Sequence, residues 1–433
     1  MPQPLPQNAA LLQFAAFSRV LLQAVKRINH GRHGDQKKKG NHRMKKFLAL
    51  LIALAMVFAL CACGEQAAAP AASGGSDAAP APAQSSGGDA APAAENWPSG
   101  RTIGMNLFVA GTPTFEIFAT LARVYLDQTG DTLETFNDQQ DINQVLADAE
   151  TMVNFGCDGV LWWGVMDPFF QVGCPTYDNA GVYFAFNDCA PMGPELRAEI
   201  QDMEYFAGSC SCDNTLLGKQ MGEAAVADGC KVALIFANEI GSTVVDRAIG
   251  FQEVFEAAGG KVVEVSHISA AGGEHIEATR NFLATYPDID CIYGVSVDYI
   301  TGASTVTAGK DIKLYGTDVN SEVLPRLLDG TFAGLNGGHW CSAYVSSALL
   351  INAMDGHKIL GADGKPLYLY SPSVVVTPEN AEYYEKYFIN DIPFHYEDVQ
   401  NLLYRNNPNV TYQDFENFLA NYSVENVVAM HEG

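Results

Sequence analysis

Short apolar runs alternate with helix-forming stretches through most of the chain beyond residue 100. The stretches between the runs show helical spacing, as at 142–155, where apolar residues recur every three or four positions after the capping residue Asp141. Such alternation is typical of parallel sheets covered by helices, so the sequence predicts an α/β fold. Ten runs have the length and the β-branched or aromatic content of buried strands: TIGMNLFVA, TLETFN, GVLWWG, VYFAFND, YFAGSC, KVALIFA, KVVEVSHI, CIYGVS, IKLYGTD and FAGLNGG.

The number of strands predicts two lobes rather than one sheet. The alternation is interrupted at residues 189–203, CAPMGPELRAEIQDM, a stretch with Pro and Gly that we interpret as a crossover between lobes. In open α/β sheets, ligands bind beyond the carboxyl ends of the strands. Two such lobes that face each other would form a cleft between them.

A separate apolar run near the start of the chain has the pattern of an export signal. Residues 47–60 are 14 uncharged, mostly aliphatic residues that follow Met44 and two lysines. A basic start, an apolar core and a small-residue end are typical of a cleaved signal peptide. The run is also shorter than the about 20 residues that span a bilayer. We therefore interpret residues 44–62 as a signal peptide that is removed.

The end of this run, LCAC at 60–63, resembles the lipobox of bacterial lipoproteins, with Cys63 as the first mature residue. The resemblance implies a diacylglyceryl group on the sulfur of Cys63, and two acyl chains anchor a protein durably. The alternative is an ordinary signal with incidental cysteines. Residues 1–43 are predicted to be a misannotated extension, because the codons of residues 37–40, KKKG, resemble a ribosome-binding site just before Met44; a basic amphipathic extension is the alternative.

Composition limits the partners of the mature chain. The residues after Cys63 include 15 basic and 49 acidic side chains, a balance that repels nucleic acid, so no nucleic-acid partner is expected. Residues 63–98 comprise the lipidated cysteine and a stretch dominated by Ala, Pro, Gly and Ser. Such a stretch buries too little apolar surface to fold, and we interpret it as a disordered stalk that carries a domain beginning at Ser99.

Eight cysteines follow Cys63. Most of them are expected to be buried thiols that act as small apolar side chains. A disulfide between distant positions is the alternative, because an exported chain meets oxidising conditions. The eight positions are Cys157, Cys174, Cys189, Cys210, Cys212, Cys230, Cys291 and Cys341.

The order of segments over about residues 100–378 resembles the sugar-type periplasmic binding proteins of ABC importers, in their ribose-binding branch. The resemblance implies two Rossmann-like lobes with parallel sheets joined by three crossovers, the type I periplasmic binding protein fold. The N-terminal lobe would comprise 99–203 plus about 339–365, and the C-terminal lobe 204–338 plus about 366–378. The same lobes occur in lactose-repressor-type regulators, but here an export signal precedes them rather than a helix-turn-helix. The matching segments are RTIGMNLFVAGTPTFEIF, NDQQDINQVLADAETMVNFGCDGVLWW, GVYFAFND, CDNTLLGKQMGE, KVALIFANEIGSTVVDRAIGFQEVF, CIYGVSVDYITGASTV and IKLYGTDVN.

The resemblance also implies polar ligand-binding residues. Asp188 and Asp318 match strand-end acids that meet ligand hydroxyls, and Arg247 matches a cleft arginine whose fork suits hydroxyls or carboxylates. Asp298 lies next to the position of a family ligand asparagine, which is Val297 in this chain. The structural alternatives are capping acids and, for the arginine, a surface ion pair with a neighbouring acid of its own helix.

Aromatic residues and a histidine complete the predicted site. Phe115 falls where the family stacks an aromatic ring on the sugar, and Trp163 is the member of the Trp162–Trp163 pair that we assign to the cleft. His339 and Trp340 occupy a region where the family often has glutamine. The predicted pocket is therefore less polar and more aromatic than a pentose site, and core packing is the alternative for each ring.

The chain beyond the resemblance, residues 379–433, is rich in aromatics with helical spacing. We interpret it as a helical extension that packs on the lobes, and a partner-docking surface is the alternative.

The sequence favours a binding protein over an enzyme. It has no G-x-S-x-G, Walker, H-E-x-x-H or C-x-x-C motif, so neither catalysis nor a cofactor or metal is expected. The resemblance implies a monomeric receptor, held by its lipid on the outer face of the cell membrane, that captures a small polar ligand and delivers it to ABC permease subunits. A sugar is the ligand that the family implies, and purine nucleosides, aromatic glycosides and small furanosides are the alternatives. The alternative use of the same fold is a sensor that presents its closed form to a histidine kinase or a chemoreceptor.

Overall fold

The computed structural model describes residues 97–238 and 244–433. The predicted extension 1–43, the signal peptide 44–62, Cys63 and most of the stalk lie outside the described residues. The α/β fold class is confirmed, because the described residues form two six-stranded sheets, and all ten predicted runs contain a strand.

The first sheet is parallel throughout and has the order β11-β5-β4-β3-β1-β2. Its strands are β1 (Thr102–Leu107), β2 (Thr132–Asn137), β3 (Gly159–Trp162), β4 (Tyr183–Asn187), β5 (Phe206–Cys212) and β11 (Tyr368–Ser371). Its connecting helices are α1 (Pro113–Thr129), α2 (Ile142–Phe155), α3 (Asp167–Ala180) and α4 (Pro194–Gln201).

The second sheet has the order β12-β10-β9-β8-β6-β7, with only β12 antiparallel to its neighbour among the described strands. Its strands are β6 (Val232–Ala237), β7 (Lys261–His267), β8 (Cys291–Gly294), β9 (Lys313–Thr317), β10 (Gly334–Gly337) and β12 (Val374–Val376). The helices of this lobe are α5 (Asn214–Ala227), α6 (Val245–Ala257), α7 (Glu274–Thr285), α8 (Val297–Thr307) and α9 (Leu324–Leu328).

The boundary between the lobes differs from the prediction. The stretch 189–203 is not a crossover, because α4 leads from β4 to β5 within the first sheet. Pro194 lies in the first turn of α4, where a backbone N–H would have no partner within the helix. The proline therefore starts a helix rather than a linker. Strands β5 and β11 therefore belong to the first lobe, and the chain crosses between lobes after Cys212, after Gly338 and between Ser371 and Val374.

The predicted stalk also ends earlier than Pro98. The ring of Trp97 packs edge-on against His357 at 5.7 Å and against Tyr404 at 6.2 Å between ring centroids. Arg405 lies over the same ring and donates from Nη2 to the carbonyl of Pro98. The last two residues of the predicted stalk are therefore part of the packed domain.

The C-terminal extension packs on helix α10 (Ser342–Met354), which itself lies on the first sheet. Twelve of the 13 residues of α10 are buried, so the helix has neighbours on nearly every side. Tyr344 donates from Oη to the carbonyl of Phe394 at 2.6 Å, and Asn352 donates to the carbonyl of Leu402 at 2.8 Å. The extension contains α11 (Ala381–Tyr384), α12 (Tyr396–Val399), α13 (Tyr412–Ala420) and α14 (Val424–Glu432).

A buried carboxylate ties the extension to the start of β1. The side chain of Asp355 has no exposed surface and accepts from Arg101 Nη1 at 2.9 Å and from Arg405 Nη2 at 2.8 Å. Both arginine side chains are themselves nearly buried. Because an unpaired buried charge is costly, this pairing fixes the position of the extension on the first lobe.

Two glycines allow helices α5 and α6 to touch. A Cβ atom on Gly218 would lie 1.8 Å from the carbonyl oxygen of Arg247, and one on Gly250 would lie 2.1 Å from that of Thr215. Backbone is therefore in contact with backbone where α6 presents Arg247. No larger residue fits without moving one helix.

We predict that Gly218→Ala lowers the free energy of unfolding by about 1–3 kcal/mol, because the added methyl group separates α5 from α6. Urea unfolding measures the change. Glu223→Ala, on the exposed face of α5, is the matched control and should stay within about 0.5 kcal/mol of the wild type. Equal stabilities of the two variants would contradict the close contact.

Candidate ligand-binding cleft

A cavity of about 860 Å³ lies at the carboxyl ends of the strands of both sheets. It is lined by residues of both lobes and of the segment that joins them. Each of the eight predicted site residues lines this cavity: Phe115, Trp163, Asp188, Arg247, Asp298, Asp318, His339 and Trp340. The structure thus brings together residues that are up to 225 positions apart in the chain.

Two aspartates at strand ends form the polar floor. Asp188 follows β4 with a φ of 56°, and Asp318 follows β9 with a φ of 83°. Each is fixed by its own N–H, which donates to the carbonyl of Cys210 in the first case and of Asn336 in the second, both at 2.9 Å. Left-handed backbone is uncommon outside glycine and concentrates at functional sites. The left-handed backbone at Asp188 and Asp318 directs both carboxyl groups toward the cleft.

Arg247 is locked into this floor by partners from several elements. Its Nη1 donates to both carboxylate oxygens of Asp318, at 3.0 and 3.1 Å, and to the carbonyl of Val295 at 2.8 Å. Its Nε donates to Asn214 Oδ1 at 2.8 Å. The side chain is almost fully buried, so the alternative of a surface ion pair is wrong. The Nε and Nη1 groups of the guanidinium are thus used within the protein, and mainly Nη2 remains to bind a ligand.

His339 lies between the two aspartates. Its Nε2 is 3.5 Å from Asp318 Oδ1 and 3.7 Å from Asp188 Oδ2, and the residue is buried. Burial, assisted by the nearby charge of Arg247, lowers the pKa of His339 well below its usual range. The imidazole is therefore neutral at physiological pH.

The two carboxyl groups differ in charge. Burial raises the pKa of Asp188 to about 8, opposed by Arg247 and assisted by Asp318. Burial also raises the pKa of Asp318, but its direct ion pair with Arg247 opposes this rise and favours the ionised form. Near pH 7 the floor thus holds one ion pair, a mostly protonated Asp188 and a neutral His339. Its formal charges sum to about zero.

An aromatic wall faces this floor on the first lobe. The rings of Phe108, Phe115 and Trp163 pack on one another with centroid separations of 5.4–6.1 Å, and all three are half-buried. Trp162, by contrast, is fully buried in the core against Phe170. The alternation of side chains along β3 separates the two tryptophans as predicted.

Asn106 holds the aromatic wall in place. Its Oδ1 accepts from the backbone N–H of Trp163 at 2.8 Å, and its Nδ2 donates to the carbonyl of Trp163 at 3.1 Å and to Asp138 Oδ2 at 3.0 Å. These bonds join the carboxyl end of β1 to that of β3. Sequence reasoning missed Asn106, Phe108 and Asn187, although polar residues at strand ends are the general signal for such sites.

The remaining predicted residues lie at the back and the rim. Trp340 is nearly buried and packs against Tyr384 of the extension, with ring centroids 6.4 Å apart. Asp298 is exposed in the first turn of α8, so it lies at the rim of the cleft. Asn320 of the second lobe donates to Thr114 Oγ1 of the first at 3.1 Å. The cleft is therefore in a closed arrangement.

Several buried polar atoms in the cleft have no hydrogen-bond partner among the described residues. They are Asp188 Oδ1, His339 Nδ1, Asn187 Oδ1 and Trp340 Nε1. Buried polar groups are almost always paired, so this concentration indicates a site completed by ligand or water.

A metal ion is a poor fit to the same floor. Ligand atoms of Asp188, Cys212 and His339 lie within 4.8 Å of one another. However, Arg247 Nη2 lies only 3.8 Å from the sulfur of Cys212, and burial raises the pKa of that thiol well above its usual range. A metal ligand must be deprotonated, and the neighbouring guanidinium repels a cation.

Comparison with known proteins agrees with this architecture. Residues 103–358 match the family described as periplasmic binding protein domain. The chain belongs to the periplasmic binding protein family. The resemblance drawn from the order of segments is thus confirmed, together with the type I fold. A comparison with curated protein sequences gives no match.

Solved structures of this fold are similar to the chain at low sequence identity. A glucose-galactose binding protein from Geobacillus stearothermophilus is 17% identical, with 65% of this chain and 99% of that one covered and a TM-score of 0.57. A solute binding protein from Bacillus halodurans with bound myo-inositol is 16% identical, with coverage of 66% and 98% and a TM-score of 0.56. A galactofuranose binding protein is 18% identical, with coverage of 70% and 99% and a TM-score of 0.54.

Within residues 97–238 and 244–433, no helix has the length and apolarity needed to cross a membrane.

The raised pKa of Asp188 predicts a pH dependence of stability. Its pKa is about 8 in the folded protein and about 4 in an unfolded chain, so between these values the folded state keeps a proton that the unfolded state loses. This group therefore makes the free energy of unfolding fall as the pH rises from about 4 to about 8. Asp188→Asn, which cannot ionise, should gain at least about 1.4 kcal/mol relative to the wild type between pH 5 and pH 8.

Urea unfolding at both pH values measures this gain. Asp127→Asn, an exposed change on α1, is the control and should follow the wild-type profile. Parallel profiles of the wild type and Asp188→Asn would show that Asp188 is ionised in the folded protein.

Proposed function

We propose that this protein captures a neutral, polyhydroxylated ligand, a sugar or a close relative of one, between its lobes and delivers it to an ABC importer. The observation that carries the proposal is a polar floor with unpaired buried groups opposite an aromatic wall, inside a closed interlobe cleft. Sugars require this combination, because hydroxyl groups need hydrogen-bond partners and C–H faces pack on aromatic rings.

The charge of the floor supports a neutral ligand. Arg247 and Asp318 neutralise each other, while Asp188 is mostly protonated and His339 is neutral near pH 7. A charged ligand would gain no uncompensated counter-charge from these groups and would lose its hydration. A protonated Asp188 and a neutral His339 can each both donate and accept, as sugar hydroxyls do.

The size of the cleft supports a ligand larger than a single pentose. Small-molecule pockets span about 300–1,000 Å³, and the cavity of about 860 Å³ lies near the upper end of that range. A disaccharide or a substituted hexose would use this space more fully. The similar structures carry names that include glucose, galactose, myo-inositol and galactofuranose, all uncharged polyols.

Closure would couple binding to delivery. A ligand that contacts Asp188 of the first lobe and Arg247 or Asp318 of the second stabilises the form in which the lobes meet at Thr114 and Asn320. A permease that recognises this closed form would then accept only loaded receptor. The cycle requires binding and release without chemical change of the ligand.

The test of the site uses Ala91–Gly433, the compact unit that contains all described residues. Thermal unfolding against neutral mono- and disaccharides, inositols, sugar phosphates, hexosamines and amino acids should give hits among the neutral polyols. A ligand at about 100 times its dissociation constant stabilises by about 2.7 kcal/mol. Stabilisation by charged compounds alone would contradict the proposal.

Calorimetry with the best ligand then tests the residues. Asp188→Ala and Trp163→Ala should each weaken binding by about tenfold, because one removes a buried hydrogen-bond partner and the other the aromatic face. Trp97→Ala is the matched control, because Trp97 packs on Tyr404 outside the cleft, and it should bind as the wild type. Unchanged affinity in both cleft variants would place the ligand elsewhere.

We also propose that the receptor is anchored on the outer face of the cell membrane through a diacylglyceryl group on Cys63. The support is the sequence LCAC at the end of an export signal. In cells, Cys63→Ser should abolish incorporation of labelled fatty acid and membrane retention, whereas Cys61→Ser should preserve both. Retention of label by Cys63→Ser would exclude this anchor.

A further inference from the structure

Two cysteines meet at the end of the second lobe that is remote from the cleft. Cys291 is the first residue of β8, and Cys230 lies in the turn that leads from α5 into the neighbouring parallel strand β6. The cleft lies at the carboxyl ends of these strands, whereas both cysteines lie at the amino ends. The two sulfur atoms and a carboxylate oxygen of Asp290 all lie within 4.8 Å of one another.

The backbone around this pair is held by Asp290. Its Oδ2 accepts from the N–H of Lys231 at 2.7 Å and its Oδ1 from the N–H of Val232 at 2.9 Å, while its own N–H donates to the carbonyl of Val232 at 3.0 Å. These bonds join the residues after Cys230 directly to the residue before Cys291. The folded backbone therefore holds the two cysteine positions close together.

The two thiols differ in their surroundings. Cys291 is fully buried, whereas Cys230 keeps a small exposed surface beneath a turn whose Asp228, Gly229 and Lys231 are all exposed. The sulfur of Cys230 also lies 3.6 Å from the hydroxyl of Tyr315. Cys230 is thus the nearer of the two thiols to solvent.

Cys230 also differs in acidity from the other described cysteines. The neighbouring Cys291 thiol lowers the pKa of Cys230, assisted by Tyr315 and Lys313 and opposed by burial and Asp290. Burial instead raises the pKa of Cys157 to about 11. Because the thiolate is the nucleophile, Cys230 has the properties of an attacking thiol and Cys291 those of a resolving one.

The cluster of Cys230, Asp290 and Cys291 fits a disulfide better than it fits a metal site. Each carboxylate oxygen of Asp290 already accepts from a backbone N–H group, and this cluster of described residues offers at most three ligands. A structural metal site needs four ligands in most cases.

We propose that Cys230 and Cys291 form an oxidisable pair that closes to a disulfide across the amino ends of β6 and β8. The thiolate of Cys230 attacks one sulfur of a low-molecular-weight disulfide and releases its other half as a thiolate, which takes up a proton. Cys291 then loses its proton and attacks the sulfur of Cys230, which releases the second half as a thiol. One protein disulfide replaces one small-molecule disulfide, and two small-molecule thiols are formed.

Closing the bond needs only a local movement. The sulfurs must approach from within 4.8 Å to about 2.05 Å, so the movement required of them is less than about 3 Å. The cross-link would enclose about 60 residues and restrict the unfolded chain, so the oxidised protein should unfold at a higher temperature. The cleft residues lie at the other end of the sheet and should bind ligand as before.

The experiment uses the full chain with Cys61 and Cys63 replaced by serine, so that only the eight described cysteines remain. Oxidised glutathione at pH 7.5 should lower the number of free thiols by two, and non-reducing peptide mapping should find a single cross-link between Cys230 and Cys291. The unfolding temperature should rise and should return to its original value on reduction. No loss of thiols, or a cross-link elsewhere, would overturn the proposal.

Variants separate the roles of the two thiols. In the same background, Cys291→Ser should keep one glutathione on Cys230, Cys230→Ser should take up none, and Cys157→Ser should form the cross-link as the parent does. If Cys230→Ser is modified at Cys291 as fast as the parent, the assigned order of attack is wrong. If reaction occurs only in denaturant, the pair is closed to reagents in the native fold and the proposal fails.

Discussion

The contact between Arg247 and Asp318 is the interaction on which the cleft depends. An arginine buried between two sheets is tolerable only when its donors are paired, and here they bond Asp318, Asn214 and Val295. These partners come from the start of α5 and the ends of β8 and β9. The pair thus fixes three elements of the second lobe around one charge.

The same contact explains why α5 and α6 carry glycines where they cross. Arg247 lies in the first turn of α6, and its carbonyl oxygen occupies the space that a side chain on Gly218 would need. Close backbone packing thus sets the position from which the guanidinium reaches the residues that follow β8 and β9. The charge arrangement of the floor and the packing of α5 against α6 therefore depend on each other.

The order of elements could be predicted from the sequence because buried strands of parallel sheets are continuous apolar runs, which a single chain reveals. The boundary between lobes could not be predicted in the same way. Gly193 and Pro194 at the start of α4 have the composition of a linker, and only the pairing of β5 with β4 shows that they begin a helix inside the first sheet. Composition indicates where regular structure is interrupted, whereas sheet membership depends on contacts distant in sequence.

That the predicted residues would lie together could be inferred from the sequence, whereas their charge states could not. Strand-end position and family resemblance select Asp188, Arg247 and Asp318, and all three line one cavity. Only the structure shows that the arginine is committed to one aspartate and that burial leaves the other mostly protonated near pH 7. Charge states depend on distances between groups more than 50 residues apart, and no local pattern in the sequence encodes them.

The extension adds a constraint that two lobes alone would lack. Tyr422 donates from Oη to the carbonyl of Gly338, at the point where the chain crosses between lobes, and Tyr384 lies against both Trp340 and the carbonyl of Val319. The extension is anchored to the first lobe through α10, yet Val319 follows Asp318 in the second. Any rotation that opens the cleft must therefore break these contacts or move the extension together with the lobes. Because these contacts already hold the lobes in the closed arrangement, less ordering of the lobes is left for the ligand to impose when it binds. This preorganisation favours affinity.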